Sequence, residues 1–458
     1  LQGLDRIRDE FEVPGPHPPE VLAAAERAAR RAPTEHRDRT ATGFVTLDPA
    51  TSTDLDQAFA IEPSGSELLL HYAIADVGWF VEHGDPVDRE AWRRGVTVYL
   101  PDGRASLHPP VLAEDAASLL PGVDRPAVVY TVRVDPAGAV SLEGAERAVV
   151  RSRAKLAYDA VRPEDLPAGF EELTRRLLAA EAARGAGRVD LPEQELESLG
   201  ATPADGVELR LRARLGSEVD NAALSLACNM AAADVLVAAG TGLFRVLPAP
   251  DERQVRWLRF TAEAFGLDWR ADEPLDAFER RLPLGDPAAT AFSLAVRRAA
   301  GGASYAPYQP GARPWHSAVA ATYAHVTAPL RRLQDRYVAD AVLAVVAGAP
   351  VPETTEAAFL ELPEVMAEAD RRANGAAAAA LDLAEALALR GREGERFAAV
   401  VVDADDRGAR LQLVAPPVVT RVRDEGLRPG DRVEVELRAA DVPRRRVEVA
   451  VVAVNPPG

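Results

Sequence analysis

Three carboxylates fall within nine residues of the segment Thr46 to Gln57: Asp48, Asp54 and Asp56. They stand at the end of an apolar run and on the small-residue stretch that follows it. Magnesium and manganese prefer oxygen ligands, and a pair of such ions can clamp the attacking and leaving oxygens of a phosphodiester. Taken alone, the spacing is more often that of an acidic surface loop. A second chemical group lies far downstream, where Arg331 follows Pro329 at the predicted opening of a helix. A guanidinium there can present a planar fork of donors to a phosphate and to the charge that develops in phosphoryl transfer. Cys228 is the single cysteine, so an intramolecular disulfide and a Cys-rich zinc site are excluded. That usage fits a reducing cytoplasm, the expected location.

The elements that must position these groups follow from the pattern of the chain. A Pro-rich turn, Pro14 to Pro19, leads into a predicted helix from Pro19 to Arg31, with proline favourable at its start because the missing N–H needs no partner there. Short strands are predicted at Phe44–Leu47, Leu68–Ala75, Val128–Val134 and Ala148–Arg151, separated by Gly, Pro and Asp turns. From Pro163 to Leu389 the periodicity is mostly helical, over Asp220–Ala238, Arg253–Phe265, Arg331–Val346 and Pro363–Leu389. Beyond Gly391, Val-rich alternating strands are predicted at Phe397–Val402, Arg410–Val414, Arg432–Leu437 and Arg446–Val451, compatible with a small barrel such as an OB-fold. Strands followed by helices give an α+β fold class. Apolar stretches such as Ala341 to Val351 fall short of the ~18 residues of a membrane span, so no membrane segment is expected. The sequence opens at Leu1 with no basic-then-apolar signal segment.

The carboxylate segment resembles the signature of the RNase II (RNB) family, an Asp followed six residues later by Asp-x-Asp-Asp, with Asp48, Asp54 and Asp56 on its first three acidic positions and Gln57 on the fourth. Further motifs follow in the family's order. His71 to Val77 is similar to its His-x-Ile-Ala-Asp-Val strand, and Arg94-Gly95 through Tyr99-Leu100-Pro101-Asp102 to its Arg-Gly…Tyr-Leu-Pro-Asp segment. Ser152 to Tyr158 resembles Ser-x-Ala-x-Leu-x-Tyr, Phe244-Arg245-Val246 the aromatic-Arg-Val step, and Tyr323 to Asp335 the Tyr-x-His-Phe-Thr-Ser-Pro-Ile-Arg-Arg-Tyr-x-Asp run. The resemblance implies a magnesium-dependent hydrolytic 3′→5′ exoribonuclease that degrades single-stranded RNA to 5′-mononucleotides and a short end product. Asp48, Asp54, Asp56 and Gln57 then hold the metal, magnesium or manganese, and Arg331 is the catalytic-site arginine. Tyr99 and Tyr158 lie where the family clamps the last nucleotides, and aromatic stacking holds bases without regard to sequence. The implied organisation is a helical lead-in over 1–40, an RNB-type catalytic domain over 41–390 and an OB-type RNA-binding domain over 391–458, with no obligate protein partner.

Departures from the pattern define the alternative. Gln57 can ligate through its amide oxygen but carries no charge, and Ala222-Ala223 stand where the family has an acidic pair. A glutamate expected in the late helix is replaced within the run Ala376 to Ala380. A catalytically impaired RNA-binding relative of the same fold accounts for these losses. The C-terminal module matches best at Gly430 to Val433 and holds Phe397 as its only aromatic, so its affinity rests on arginines such as Arg444 to Arg446, which a solvated hairpin turn would also explain. With about forty residues ahead of the catalytic block, RNA capture is expected to depend more on this module. The net charge of −18 describes the whole surface and is compatible with a locally positive groove; residues 391–458 hold twelve arginines against twelve acids, so the excess of negative charge lies in 1–390.

Overall fold

The computed structural model describes residues 3–186, 193–198, 207–283, 286–405, 407–423 and 426–455. Among the described residues the centre is a seven-stranded sheet. Its strands are Arg37–Asp38 (β1), Val45–Asp48 (β2), Gln57–Ser64 (β3), Glu67–Ala75 (β4), Asp124–Val134, Val140–Arg151 and Ala154–Ala157; the last three are β7, β8 and β9, after a small hairpin of Val98–Leu100 (β5) and Gly103–Ala105 (β6). The strand order is β1-β8-β7-β4-β3-β2-β9. Only the two edge pairings, β1 with β8 and β2 with β9, are parallel.

Alternation along the strands divides the core into two layers. Leu68, Leu70, Tyr72 and Ile74 of β4 and Val128, Tyr130, Val132 and Val134 of β7 face one layer, while Ala73, Ala75, Ala127 and Val129 face the other. The large side chains receive the long helices Phe170–Arg184 (α5), Gly216–Ala239 (α6), Leu333–Val346 (α10) and Glu353–Leu389 (α11). The small side chains receive Pro19–Ala28 (α2), Val77–Phe80 (α3) and Pro86–Arg94 (α4). The first forty residues are part of this packing: Leu4 and Ile7 of Leu4–Glu10 (α1) enter the first layer and Val21, Ala24 and Ala25 of α2 the second. A small helical cluster of Glu252–Ala264 (α7), Leu275–Arg281 (α8) and Pro287–Ala300 (α9) closes around Leu258, Phe278 and Phe292.

Two sequence expectations change here. The 24-residue helix α6 is long and apolar enough to cross a membrane, contrary to the reading that no stretch qualifies. Its apolar character has a local cause, since Leu224, Ala227, Cys228, Ala231 and Leu236 are buried against the sheet and the other helices. Helix α10 starts at Leu333, not at Arg331. Arg331 lies in a turn and Arg332 is extended, held by Thr97 N–H donating to the Arg331 carbonyl (3.0 Å) and Leu333 N–H to the Gly95 carbonyl (3.0 Å).

The segment predicted to be mostly helical also carries hairpins. Glu193–Ser198 (β10) pairs with Val207–Arg212 (β11), and Leu243–Val246 (β12) with Ser304–Pro307 (β13); Trp315–His316 (β14) pairs with Ala321–Thr322 (β15). The C-terminal module is a curled five-stranded sheet of Arg396–Asp405 (β16), Gly408–Leu413 (β17), Val419–Val422 (β18), Arg432–Asp441 (β19) and Arg446–Asn455 (β20), ordered β18-β17-β16-β19-β20. Its two edges approach closely enough for Thr420 Oγ1 to donate to the Val447 carbonyl (2.9 Å). Leu389 at the end of α11 and Leu209 of β11 join its core, so both elements anchor the module to the rest of the chain.

Candidate active site

The strands β2 and β9 run side by side and end together, with Asp48 opposite Ala157 and the Tyr158 N–H donating to the Asp48 carbonyl at 3.2 Å. This places Asp48 and Tyr158 on one rim of a cleft of about 890 Å³. The loop that follows β2 is pinned from both sides. Lys155, the only lysine, donates to the carbonyls of Ala50 (2.7 Å) and Ser52 (2.5 Å). Ser118 Oγ donates to the Thr53 carbonyl (2.7 Å) and accepts from the Leu55 N–H (2.9 Å). Leu55 is fully buried in the second core layer and therefore fixes the two acids that flank it.

Each acid has its own setting. Burial pushes the Asp48 carboxyl up to about 6, with Arg331 and Lys155 opposing and Asp54 adding to the rise. Asp48 Oδ2 is buried and has no hydrogen-bond partner among the described residues. Asp56 is 5% exposed, and burial pushes it up to about 7 against the pull of Arg331. Its Oδ1 accepts from the Leu330 N–H (2.8 Å) and its Oδ2 lies 3.3 Å from Arg331 Nε. Asp54 is paired with Arg104, whose Nη1 donates to Oδ1 at 2.6 Å, and it receives the Tyr99 hydroxyl at 3.4 Å.

The structure brings all the predicted site residues to this one cleft. Arg331 sits half exposed in the turn ahead of α10, stitched to the strand that carries Tyr99 through the Thr97–Arg331 bond and a bridge between Val96 and Arg332. Tyr99 is 50% exposed on β5, free to offer a ring face. Tyr158 is half-buried; Asn221 Nδ2 donates to its hydroxyl (2.8 Å) and to the Leu47 carbonyl (3.2 Å), and burial beside Asp48 holds the phenol up to about 12. Gln57 lines the cleft but has structural bonds: its Nε2 donates to the Thr327 carbonyl (2.7 Å) and its Oε1 accepts from the buried Tyr72 hydroxyl (2.6 Å). It therefore ties the sheet to the turn that holds Arg331.

Arg104, Lys155, Asn221 and Glu114 are site residues that sequence reasoning missed. Their only sequence signal is the solitary lysine, which carries no positional information. Ala222, in the place of an expected acid, is exposed in the cleft, and Glu218 lies one helical turn before it. Glu218 is engaged by Arg212 Nη1 (2.8 Å) and by the Leu215 N–H (2.7 Å) as a helix cap. His71, His325 and Asp76 have structural partners: Thr131 and Glu62, Tyr305, and the Trp79 N–H with His36 and Arg147, respectively.

Oxygen ligands are the donors this cleft offers, and a buried carboxylate oxygen without a partner is what a hard dication would satisfy. The residues fit magnesium or manganese in chemistry. Among the described residues, no three His, Cys, Asp or Glu side chains yet stand together as a closed ligand set.

The family model for the RNB domain matches residues 36–348, and that for the RNase II-type exonuclease C-terminal S1 domain matches residues 395–452. Ribonuclease R of Aquifex aeolicus is 27% identical over 98% of this chain and 70% of its own length. Exoribonuclease 2 of Serratia proteamaculans is 27% identical over 89% of this chain and 66% of its own. In fold, the chain is similar to the apo form of Mycoplasma genitalium RNase R, with a TM-score of 0.85 at 18% identity over 98% of this chain and 78% of that one. Yeast Ssd1, described as a pseudonuclease, is similar at a TM-score of 0.69 and 18% identity, over 90% of this chain and 52% of that one.

Proposed function

The chain belongs to the RNase II/R family of RNB-domain exoribonucleases, and from that membership we propose that it hydrolyses single-stranded RNA from the 3′ end, releasing 5′-mononucleotides and a short end product with magnesium or manganese as cofactor. The observation that carries this reading is the convergence of Asp48, Asp54, Asp56 and Arg331 on one cleft flanked by Tyr99 and Tyr158. Asp48, Asp54 and Asp56 would hold the metal, with Asp48 Oδ2 the readiest donor. When bound, the ion supplies positive charge at the scissile phosphate and makes water a competent nucleophile near neutral pH.

The chain's own residues supply the rest. Arg331 is oriented through Nε by Asp56, which leaves the outer N–H groups of its fork for the phosphate oxygens as charge builds on them. Tyr99 and Tyr158 line the same cleft as the carboxylates, and stacking on them would keep the strand registered between cleavages. A solved relative, Mycoplasma genitalium RNase R, is described in complex with ribose-methylated single-stranded RNA, which supports RNA as the polymer. The test is degradation of a 5′-labelled single-stranded RNA, with and without magnesium, by wild type and Asp56→Asn. Metal-dependent shortening from the 3′ end that disappears in the variant is the expected result. Products that retain full length with every metal would refute it.

A second reading, an RNA-binding relative without catalysis, is favoured by one observation. Gln57 is a neutral side chain already bonded to Tyr72 and Thr327, so its position contributes no charge toward a second ion. Binding of the labelled RNA without shortening would establish that reading.

A further inference from the structure

The acids on either side of Leu55 each face an arginine, but the two arginines are held differently. Arg331 reaches Asp56 from the turn before α10 and lies 47% exposed by side chain, open to the cleft. Arg104 comes from β6, is 23% exposed and is gripped by several groups at once. Its Nη1 meets Asp54 Oδ1 at 2.6 Å, while its Nη2 meets Thr53 Oγ1 at 2.9 Å and Glu114 Oε1 at 2.9 Å. Thr53 Oγ1 in turn donates to Glu114 Oε2 at 3.2 Å. The guanidinium thus bridges two carboxylates, one inside the acid cluster and one outside it.

A guanidinium keeps its charge at every working pH, so Arg104 leaves Asp54 by moving and not by losing its proton. Glu114 provides the place to move to, because Arg104 already contacts it and would keep a carboxylate partner after letting go of Asp54. We infer that Arg104 is a resident counter-ion of Asp54, handed over to Glu114 when a divalent cation enters, and that this exchange sets the cation affinity of the site. The inference rests on the metal-holding role proposed for Asp48, Asp54 and Asp56.

Arg104 is a positioning residue in this scheme, and the sign of its effect separates the scheme from a structural pin. A counter-ion competes with metal, so its removal strengthens metal binding; a pin holds the loop, so its removal weakens it. The measurement is Mn²⁺ titration by isothermal calorimetry, checked by Mn²⁺ electron paramagnetic resonance, on wild type, Arg104→Gln, Glu114→Gln and Asp48→Asn, with thermal unfolding to verify folding. Arg104→Gln is expected to bind Mn²⁺ about tenfold more tightly, the scale of one removed opposing charge pair. Glu114→Gln, which leaves Arg104 with Asp54 as its only carboxylate, is expected to bind several-fold more weakly. Equal or weaker binding in folded Arg104→Gln would overturn the counter-ion role, and unchanged binding in Glu114→Gln would overturn the handover. If wild type and Arg104→Gln both fail to take up Mn²⁺, or if Asp48→Asn leaves uptake untouched, the metal-holding role itself falls. Wild-type uptake lost in Asp48→Asn but not strengthened in Arg104→Gln would remove this inference alone.

Discussion

Gly95 sits in the turn between α4 and β5, at φ +71, against α11. A Cβ placed on it would lie 2.4 Å from the Ala369 Cβ, far inside contact distance, in a backbone region that L side chains rarely enter. Gly95→Ala should therefore incur two separate costs, a backbone strain of about 1–3 kcal/mol and an overpacking cost of about 1–3 kcal/mol. For a cooperative unit the size of residues 36–348, unfolding entropy converts each kcal/mol into about 1.5 °C, so a combined ~4 kcal/mol lowers the melting temperature by about 6 °C. The companion change Ala369→Gly costs about 1 kcal/mol in helix propensity alone, yet it deletes the atom that clashes. The double variant should consequently be more stable than the sum of the two single effects, by a coupling of about 1–3 kcal/mol. Calorimetric or circular-dichroism melts of the four proteins give that coupling directly. Strict additivity would show that the turn does not press on α11 and would refute the geometry. The turn also connects to the site, since the Gly95 carbonyl holds Leu333 and the next strand carries Tyr99, so RNA hydrolysis should fall in Gly95→Ala and recover in part with Ala369→Gly.

Other parts of the structure give equally concrete expectations. Lys155→Met removes two charge-assisted bonds to the carbonyls of the carboxylate loop; it should reduce kcat at least tenfold while costing no more than about 2 kcal/mol of stability, read by single-turnover kinetics and melting. Tyr99→Ala should weaken binding of single-stranded RNA in EDTA by about 1–3 kcal/mol, with an unchanged melting temperature because the ring is half exposed. Tyr99→Phe should stay within about twofold of wild type in the same anisotropy assay, since its hydroxyl contact with Asp54 is long at 3.4 Å. Glu385, where α11 meets the C-terminal module, is pushed up to about 7 by burial although Val419 N–H and Gln194 Nε2 both donate to its Oε1. A folded value above the ordinary carboxylate range means that its contribution to stability is greatest at acid pH and declines as pH rises through about 7. Glu385→Gln, which keeps an acceptor at that atom, should flatten the pH dependence of melting between pH 5 and pH 8; an unaltered pH profile would contradict the assignment.

What the sequence made legible follows the range of the forces involved. Asp48, Asp54 and Asp56 could be read because the loop that presents them is local, and an alternating apolar residue, Leu55, sets their separation within the segment. The strands β4 and β7 could be read because they are near-continuous apolar runs, the pattern of strands covered on both faces. Arg104, Glu114 and Asn221 were not legible because each reaches the carboxylate segment or its neighbours only through tertiary packing, across 50 residues from Arg104 to Asp54, 61 from Glu114 to Thr53 and 174 from Asn221 to Leu47. The start of α10 was misplaced for the same reason: periodicity continues through Arg331, but backbone bonds with Gly95 and Thr97 hold Arg331 in a turn and Arg332 extended. Gln57 was legible as a departure but not in its consequence, because Tyr72 and Thr327, its two partners, lie on separate elements.

Helix α11 has a mechanical consequence. Between Ala369, which lies under the Gly95 turn, and Leu389, which is embedded in the C-terminal module, it makes an uninterrupted helical strut about 30 Å long. A load applied to that module, such as tension in a captured polymer, is therefore delivered along a stiff member to the turn that leads into the strand of Tyr99 and braces Arg331, instead of being absorbed at a hinge. On this arrangement the joints of the strut are its side-chain contacts, Ala369 against Gly95 at one and Leu389 in the core of the module at the other.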